Sequence, residues 1–186
     1  MPEFTTDWFS HNIPGLDRLM GMMQGHKRRF LEIGAFEGRS TLWFYDQMDK
    51  YVLPRIDVID TWKGSEEHVG IDFTAVKRRF DDNTLGKAGI RPFKGTLFDF
   101  IAAGNAEQYD FIYIDGSHQA PHVLADACMA WPLLKQHGIM VFDDYLWGFN
   151  GDPLHTPKTA VDAFMACYHE QLEVVLAGYQ WGIRKL

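Results

Sequence analysis

The chain has 186 residues, 46% hydrophobic and 23% charged, enough for one domain with a substantial core and too apolar for a disordered segment. A formal net charge of −7 argues against a general grip on nucleic acid. No apolar run approaches the ~18 residues of a membrane span, and the opening MPEFTTDWFSHNIP lacks the basic start and apolar core of a secretion signal, so a cytoplasmic protein is expected.

Short apolar runs alternate along the chain with longer stretches of helical spacing. The basic stretch Lys27-Arg28-Arg29 reads as the solvated entrance to a first strand, Arg29–Gly34, which ends at glycine. A helix is expected over Arg39–Lys50, a second strand over Arg55–Asp60 and a helix over Phe73–Leu85. A weaker strand, Ile90–Lys94, precedes a short helix, Thr96–Ala103. Tyr109–Asp115 is a strong fourth strand, and Ala120–Gln136 reads as a helix bent at Pro132, which has no N–H to donate to Cys128. Ile139–Asp143 is the fifth strand and Pro157–Tyr168 a helix with proline in its first turn. Cys128 and Cys167 fall in these last two helices without metal-ligand spacing and are expected as small buried side chains. Glu173–Leu176 and Gln180–Lys185 are two strands joined by a turn too short for a parallel crossover, hence an antiparallel hairpin. The alternation predicts one α/β domain over 1–186, a mostly parallel sheet covered by helices on both faces. The irregular stretches Thr61–Asp72 and Tyr145–Thr156 follow strands and therefore lie over the carboxyl ends of the sheet, where such folds bind ligands.

The segment from Phe30 to Thr41, FLEIGAFEGRST, is the most informative. Gly34 closes the first strand and Gly38 opens the first helix, a placement suited to a nucleotide. The spacing is G-x-x-x-G rather than the G-x-G-x-x-G of dinucleotide folds, and carboxylates stand at Glu32 and Glu37. Two such charges would repel a pyrophosphate but suit an ammonium and a sulfonium, which favours S-adenosylmethionine over NAD. Asp60, ending the second strand, is placed to take ribose hydroxyls or to cap the loop after it. Trp62 could flank the adenine or pack as an ordinary loop aromatic.

The motifs FLEIGAFEGRST, VIDTWKGSEEH, YDFIYIDGSH and GIMVFDDYLWG together resemble those of class I methyltransferases, from about Trp8 to the C-terminus. The resemblance implies a Rossmann-like sandwich whose seven-stranded sheet is mostly parallel with an antiparallel C-terminal strand. It implies cofactor contacts at Gly34, Ala35, Phe36 and Gly38, with Glu32, Glu37 and Ser40 beside them. It adds Asp60, Thr61 and Trp62, then Gly95 and Thr96 near the adenine, and Asp115. Many similar proteins carry an acidic residue where this chain has Thr96.

Asp115 ends the fourth strand and Asp143 and Asp144 end the fifth, its expected neighbour. Clustered carboxylates repel unless a cation neutralises them, and oxygen ligands suit Mg²⁺ or another hard divalent ion. These positions resemble the metal ligands of macrocin- and novobiocin-type O-methyltransferases, with Ser117 and then His118 where those proteins often carry a second acidic residue. The expectation is a small-molecule O-methyltransferase, with Asp115, Asp143 and Asp144 on the metal and His118 as general base. The alternatives are a metal-free or N-directed methyltransferase, a non-catalytic cofactor-binding module, and a non-haem iron hydroxylase, which would need a second histidine. The expected partner is a small acceptor, with no nucleic acid and no membrane. Phe4, Trp8, Phe9, Trp147 and Phe149 are expected to line the acceptor site, to form a dimer contact, or to pack at chain ends.

Overall fold

A computed structural model describes residues 1–23, 29–48, 54–65, 68–148 and 151–186. His26, Lys27 and Arg28, the predicted helix end at Asp49 and Lys50, and Phe149 lie outside the described residues.

Seven strands form one sheet: β1 (Arg29–Ile33), β2 (Arg55–Asp60), β3 (Ile90–Lys94), β4 (Tyr109–Ile114), β5 (Leu134–Phe142), β6 (Leu172–Ala177) and β7 (Trp181–Lys185). Their order is β3-β2-β1-β4-β5-β7-β6. The first five in that order run parallel, while β7 is antiparallel to both β5 and β6. The C-terminal hairpin expected from its short turn is therefore present, and its second strand is the one inserted against β5. The chain order reverses between β1 and β4, so a crevice opens above their carboxyl ends.

Among the described residues six α-helices cover the sheet: α1 (Ile13–Met22), α2 (Arg39–Gln47), α3 (Phe73–Thr84), α4 (Leu97–Ala102), α5 (Ala120–Ala130) and α6 (Pro157–Tyr168). Successive strand residues point to opposite faces. In β4, Phe111 and Tyr113 join a core with Phe44 of α2, Phe80 of α3 and Leu16 of α1. Ile112 and Ile114 join another core with Leu97, Val123 and Phe164 of α4, α5 and α6. Burial on both faces explains why this strand reads as a continuous apolar run rather than an alternating one.

Three sequence expectations are corrected. The helix expected over Ala120–Gln136 ends at Ala130; Trp131–Leu133 form a 3₁₀ turn around Pro132, and β5 begins at Leu134, five residues before the predicted strand. Proline stops this helix rather than bending it. The β4–β5 register then shifts between Tyr109 and Phe111, across a stretch in which His137 adopts a φ of 63°. Cys128 and Cys167 are both exposed. The buried stripe of α5 runs through Val123, Ala127 and Ala130, and one further residue, at 100° of helical rotation, turns Cys128 outward; that of α6 ends at Phe164, before Cys167. Finally, no helix was expected before the first strand, yet α1 is present, with Leu16, Leu19 and Met20 buried. Among the described residues, no helix is long and apolar enough to cross a membrane.

Gly34 sits where β1 and β4 come closest. Its φ is +87°, and a Cβ there would lie 2.0 Å from the Asp115 carbonyl oxygen. Gly34→Ala is therefore expected to destabilise the fold by about 2 kcal/mol or more, from strain and forced separation of the strand ends. Urea denaturation checks this, and a loss within ~0.5 kcal/mol would show that the strand ends are not pinched as described.

Candidate active site

The loop after β1 is built around the Asp60 carboxylate. Its Oδ2 accepts the N–H groups of Ala35 (2.9 Å) and Phe36 (3.0 Å), and its Oδ1 accepts that of Trp62 (2.6 Å). One side chain thus ties the loop after β1 to the loop after β2. Phe36 and Trp62 both take positive φ, 49° and 46°. The turn aims the Phe36 ring at an aromatic group of Trp8, His68 and Phe73. Trp62 turns the other way: its indole N–H donates to the Phe36 carbonyl (3.1 Å) and its ring packs on Phe80. Its ring is buried and borders a smaller pocket with Phe73, Lys77 and Lys94 rather than the crevice over the strand ends.

Gly38, at +85°, caps α2, and a Cβ there would press on Phe80; it shapes the turn from behind. Glu32 is buried beneath the loop and accepts the hydroxyls of Ser40 and Thr41. Ser40 borders the crevice, so Glu32 is one side chain removed from it. The Glu37 carboxylate is taken up by the Thr5 N–H and hydroxyl (both 2.7 Å) and by Arg79 (3.0 Å). Its charge anchors the N-terminal segment at the border of the cavity over the strand ends.

A cavity of about 1150 Å³ lies over the carboxyl ends of the strands. Gly34, Ala35, Phe36, Asp60 and Thr61 border it on one side, with Gly95 and Thr96 beyond them. Asp115, His118 and Asp144 border it across the switch point. One ligand atom from each of these three lies within 4.8 Å of the others. His118 Nε2 is 2.8 Å from Asp144 Oδ2, and the imidazole lies against Trp147, 4.2 Å between centroids. Burial and the neighbouring Asp143 and Asp144 push the Asp115 carboxyl well above its ordinary range. Burial would raise Asp144 too, but hydrogen bonds from His118 and Tyr179 outweigh it and hold that carboxyl low.

Of the expected trio, Asp115 and Asp144 come together with His118, while Asp143, which also borders the cavity, is engaged by other side chains. Asp143 accepts the Asn12 side-chain amide on both oxygens (3.0 and 3.1 Å), the Tyr113 hydroxyl, and the Gln180 amide (3.0 Å). Asp143 and Asp144 both follow the end of β5, and Asp144 turns away from its neighbour with a φ of 54°. Asp143 thus borders the cavity with its carboxylate held in a polar cluster, and His118 stands with Asp115 and Asp144.

The N-terminal segment contributes residues that pattern reading assigned no fixed position. Phe4, Trp8, Phe9 and Trp147 do line the cavity, joined by Asp7, His11 and Arg39. Arg39 donates to the Thr6 carbonyl (3.0 Å), and the Glu3 N–H and carbonyl pair with Asn83. These contacts bridge distant positions without any periodic signal. Tyr179, at the tip of the β6–β7 hairpin, was also unforeseen.

A model of the methyltransferase domain matches residues 31–145. The O-methyltransferase hkm8 of Aspergillus hancockii is 31% identical over 117 residues, 63% of this chain and 42% of that protein. The chain thus spans about two fifths of the length of this curated relative. An O-methyltransferase from Bacillus cereus, solved in complex with SAH, superposes with a TM-score of 0.68 at 18% identity, covering 98% of this chain and 84% of that one. TomG of Streptomyces achromogenes, an O-methyltransferase involved in tomaymycin synthesis and solved with SAM, gives 0.69 at 15%, covering 96% and 81%. At these identities the two structures establish a shared fold.

The buried Glu32 generates a pH prediction. Burial raises its carboxyl from 4.5 to about 7, against the opposing bonds from Ser40 and Thr41. Between those values the native state keeps a proton that the unfolded chain has lost. The group's contribution to stability is present below pH 4.5 and is lost as the pH rises through about 7. A shift of this size corresponds to ~3 kcal/mol. Glu32→Gln removes the titration, so its stability relative to wild type should rise by that order between pH 4.5 and 8. Parallel stability profiles for the two proteins would contradict it.

Proposed function

The chain belongs to the methyltransferase-domain family, and from that premise we propose that it transfers the methyl group of S-adenosylmethionine to a hydroxyl of a small molecule or sugar, assisted by a divalent cation such as Mg²⁺. The observation that carries this reading is the single cavity joining the Gly34–Gly38 loop and Asp60 to Asp115, His118 and Asp144. Its volume of about 1150 Å³ exceeds that of most single-ligand pockets, leaving room for a cofactor and an acceptor together. Asp60, Asp115 and Asp144 make its wall acidic, which suits a ligand bearing an ammonium and a sulfonium and no phosphate. The SAM and SAH held by the two structural neighbours support the same cofactor.

Asp60 keeps the loop N–H groups of Ala35, Phe36 and Trp62 in place, and its remaining acceptor site can take a ribose hydroxyl. The N-terminal segment, pinned through Glu37 and Asp143, closes one side and limits water at the reacting centre. Asp115, His118 and Asp144 have the spacing and the hard oxygen donors to hold a divalent cation, which would lower the pKa of a bound acceptor hydroxyl. In the transfer, the acceptor oxygen forms a bond to the methyl carbon as the carbon–sulfur bond breaks. S-adenosylhomocysteine leaves, and the hydroxyl proton passes to a base.

The 2.8 Å contact between His118 and Asp144 favours a second reading, in which Asp144 orients His118 as that base and no metal takes part.

Calorimetric titration with S-adenosylmethionine tests the cofactor. Wild type should bind, and Asp60→Ala should weaken binding at least tenfold, by roughly 1.4 kcal/mol; a wild type that does not bind overturns the proposal. With an acceptor found by screening, Asp144→Asn should lower turnover by roughly 100-fold under either reading. Chelation separates them. Turnover lost to EDTA and restored by Mg²⁺ supports the cation, and turnover that survives EDTA leaves the His118–Asp144 pair as the base.

A further inference from the structure

Asp126 has no counterpart in the machinery described above. It stands on α5 and borders the cavity beside Ala125 and Met129. A Cβ placed on Gly116 would lie 3.9 Å from its Oδ2, so the carboxylate reaches back to the turn just after β4. It makes no hydrogen bond or ion pair with any described residue, and burial alone pushes its carboxyl up to about 6. A partly buried carboxylate without a donor is costly, and such a group facing a cavity is matched to a ligand that donates to it.

The surroundings narrow the ligand. The acidic trio of Asp115, His118 and Asp144 sits at the β4–β5 end of the cavity, which is the reacting end under the proposed function. Ile59, Leu97, Phe98 and, from α5, Met129 give the cavity an apolar stretch of wall near Gly95 and Thr96. α4 and α5 share a core on this face through Leu97, Phe100, Val123 and Ala127. A flat heteroaromatic ring suits such a slot, provided its polar edge finds a partner. Thr96 is poorly placed to be that partner. Its hydroxyl donates to Asp99 Oδ2 (2.7 Å) and accepts the Asp99 N–H (3.2 Å), closing a capping box that also occupies the Asp99 carboxylate. Asp126, on α5 beside Met129 and reaching the turn after β4, is an uncommitted acceptor that borders the same cavity.

Resting on the S-adenosylmethionine reading, we propose that Asp126 selects the cofactor's base by accepting an N–H from the exocyclic amino group of adenine. Asp126 thereby acts as a specificity-determining residue, separate from the groups that handle the methyl group and the acceptor.

Calorimetry with S-adenosylhomocysteine and its deaminated analogue, S-inosylhomocysteine, tests this without any turnover. Deamination replaces the amino donor with an oxo acceptor. Wild type should bind the adenosyl compound at least tenfold more tightly. Asp126→Ala should lose at least tenfold in affinity for it and little for the analogue. Asp126→Asn, whose amide can donate to the oxo group, should narrow or reverse the preference. Both variants should melt no lower than wild type, because the carboxylate they remove has no partner among the described residues. Wild-type binding of S-adenosylhomocysteine with no preference over the analogue, or a preference that both variants retain, overturns the role of Asp126 and leaves the cofactor reading standing. Failure of wild type to bind S-adenosylhomocysteine overturns both.

Discussion

Asp60 stands at the carboxyl end of β2 with its oxygens accepting backbone N–H groups from Ala35, Phe36 and Trp62. Those three donors belong to two loops that follow neighbouring strands, and no β ladder or helix is available to satisfy them. A buried N–H left unpaired costs about 1–3 kcal/mol. The carboxylate therefore does more than decorate a binding site; it holds together the chain that makes the site. It fixes the two positive-φ residues, sends the Phe36 ring toward the N-terminal aromatics and sends Trp62 into the core. The floor of the cavity follows from that division.

The second division concerns Asp143 and Asp144. They are adjacent in sequence and of the same chemistry, yet they do opposite work. Asp143 gathers Asn12, Tyr113 and Gln180 in a buried cluster that links the N-terminal segment, β4 and the chain entering β7. Asp144 faces the cavity and His118. With five hydrogen bonds accepted, from Asn12 on both oxygens, Tyr113, Gln180 and the Asp144 N–H, the Asp143 carboxylate has little capacity left for a ligand. The cavity's acidic end is consequently Asp115, His118 and Asp144, a set with an imidazole in it.

Much of the fold was legible. β2, β3 and α6 begin and end where the pattern of apolar residues, glycines and prolines places them. Their boundaries are local: Gly95 follows β3, and Pro157 opens α6. The stretch from Ala120 to Phe142 was misread because Leu133 and Leu134 continue an apolar helical pattern, while the 3₁₀ turn and the shifted β4–β5 register depend on what the chain packs against. The cysteines were misplaced for a related reason. Apolar neighbours in sequence do not say which way a helix is rotated about its axis, and α5 buries Ala127 rather than Cys128.

By itself, the sequence determined most of the elements, the parallel sheet with its terminal hairpin, and the positions of chemical interest at the ends of strands, because strand ends, glycine turns and carboxylates are all local signals. It also carried the family motifs, which the match over residues 31–145 bears out. Tertiary structure alone decided which of those groups meet. Side-chain direction at the end of a strand, the left-handed turns at Phe36, Trp62 and Asp144, and the path of residues 3–12 across the cavity are set by long-range hydrogen bonds between residues far apart in the chain. Such contacts leave no spacing to read. That is why Glu37 proved to be an anchor, Asp143 a clamp and His118 a neighbour of Asp144, though each had been visible in the sequence as a charged or titratable group near a loop.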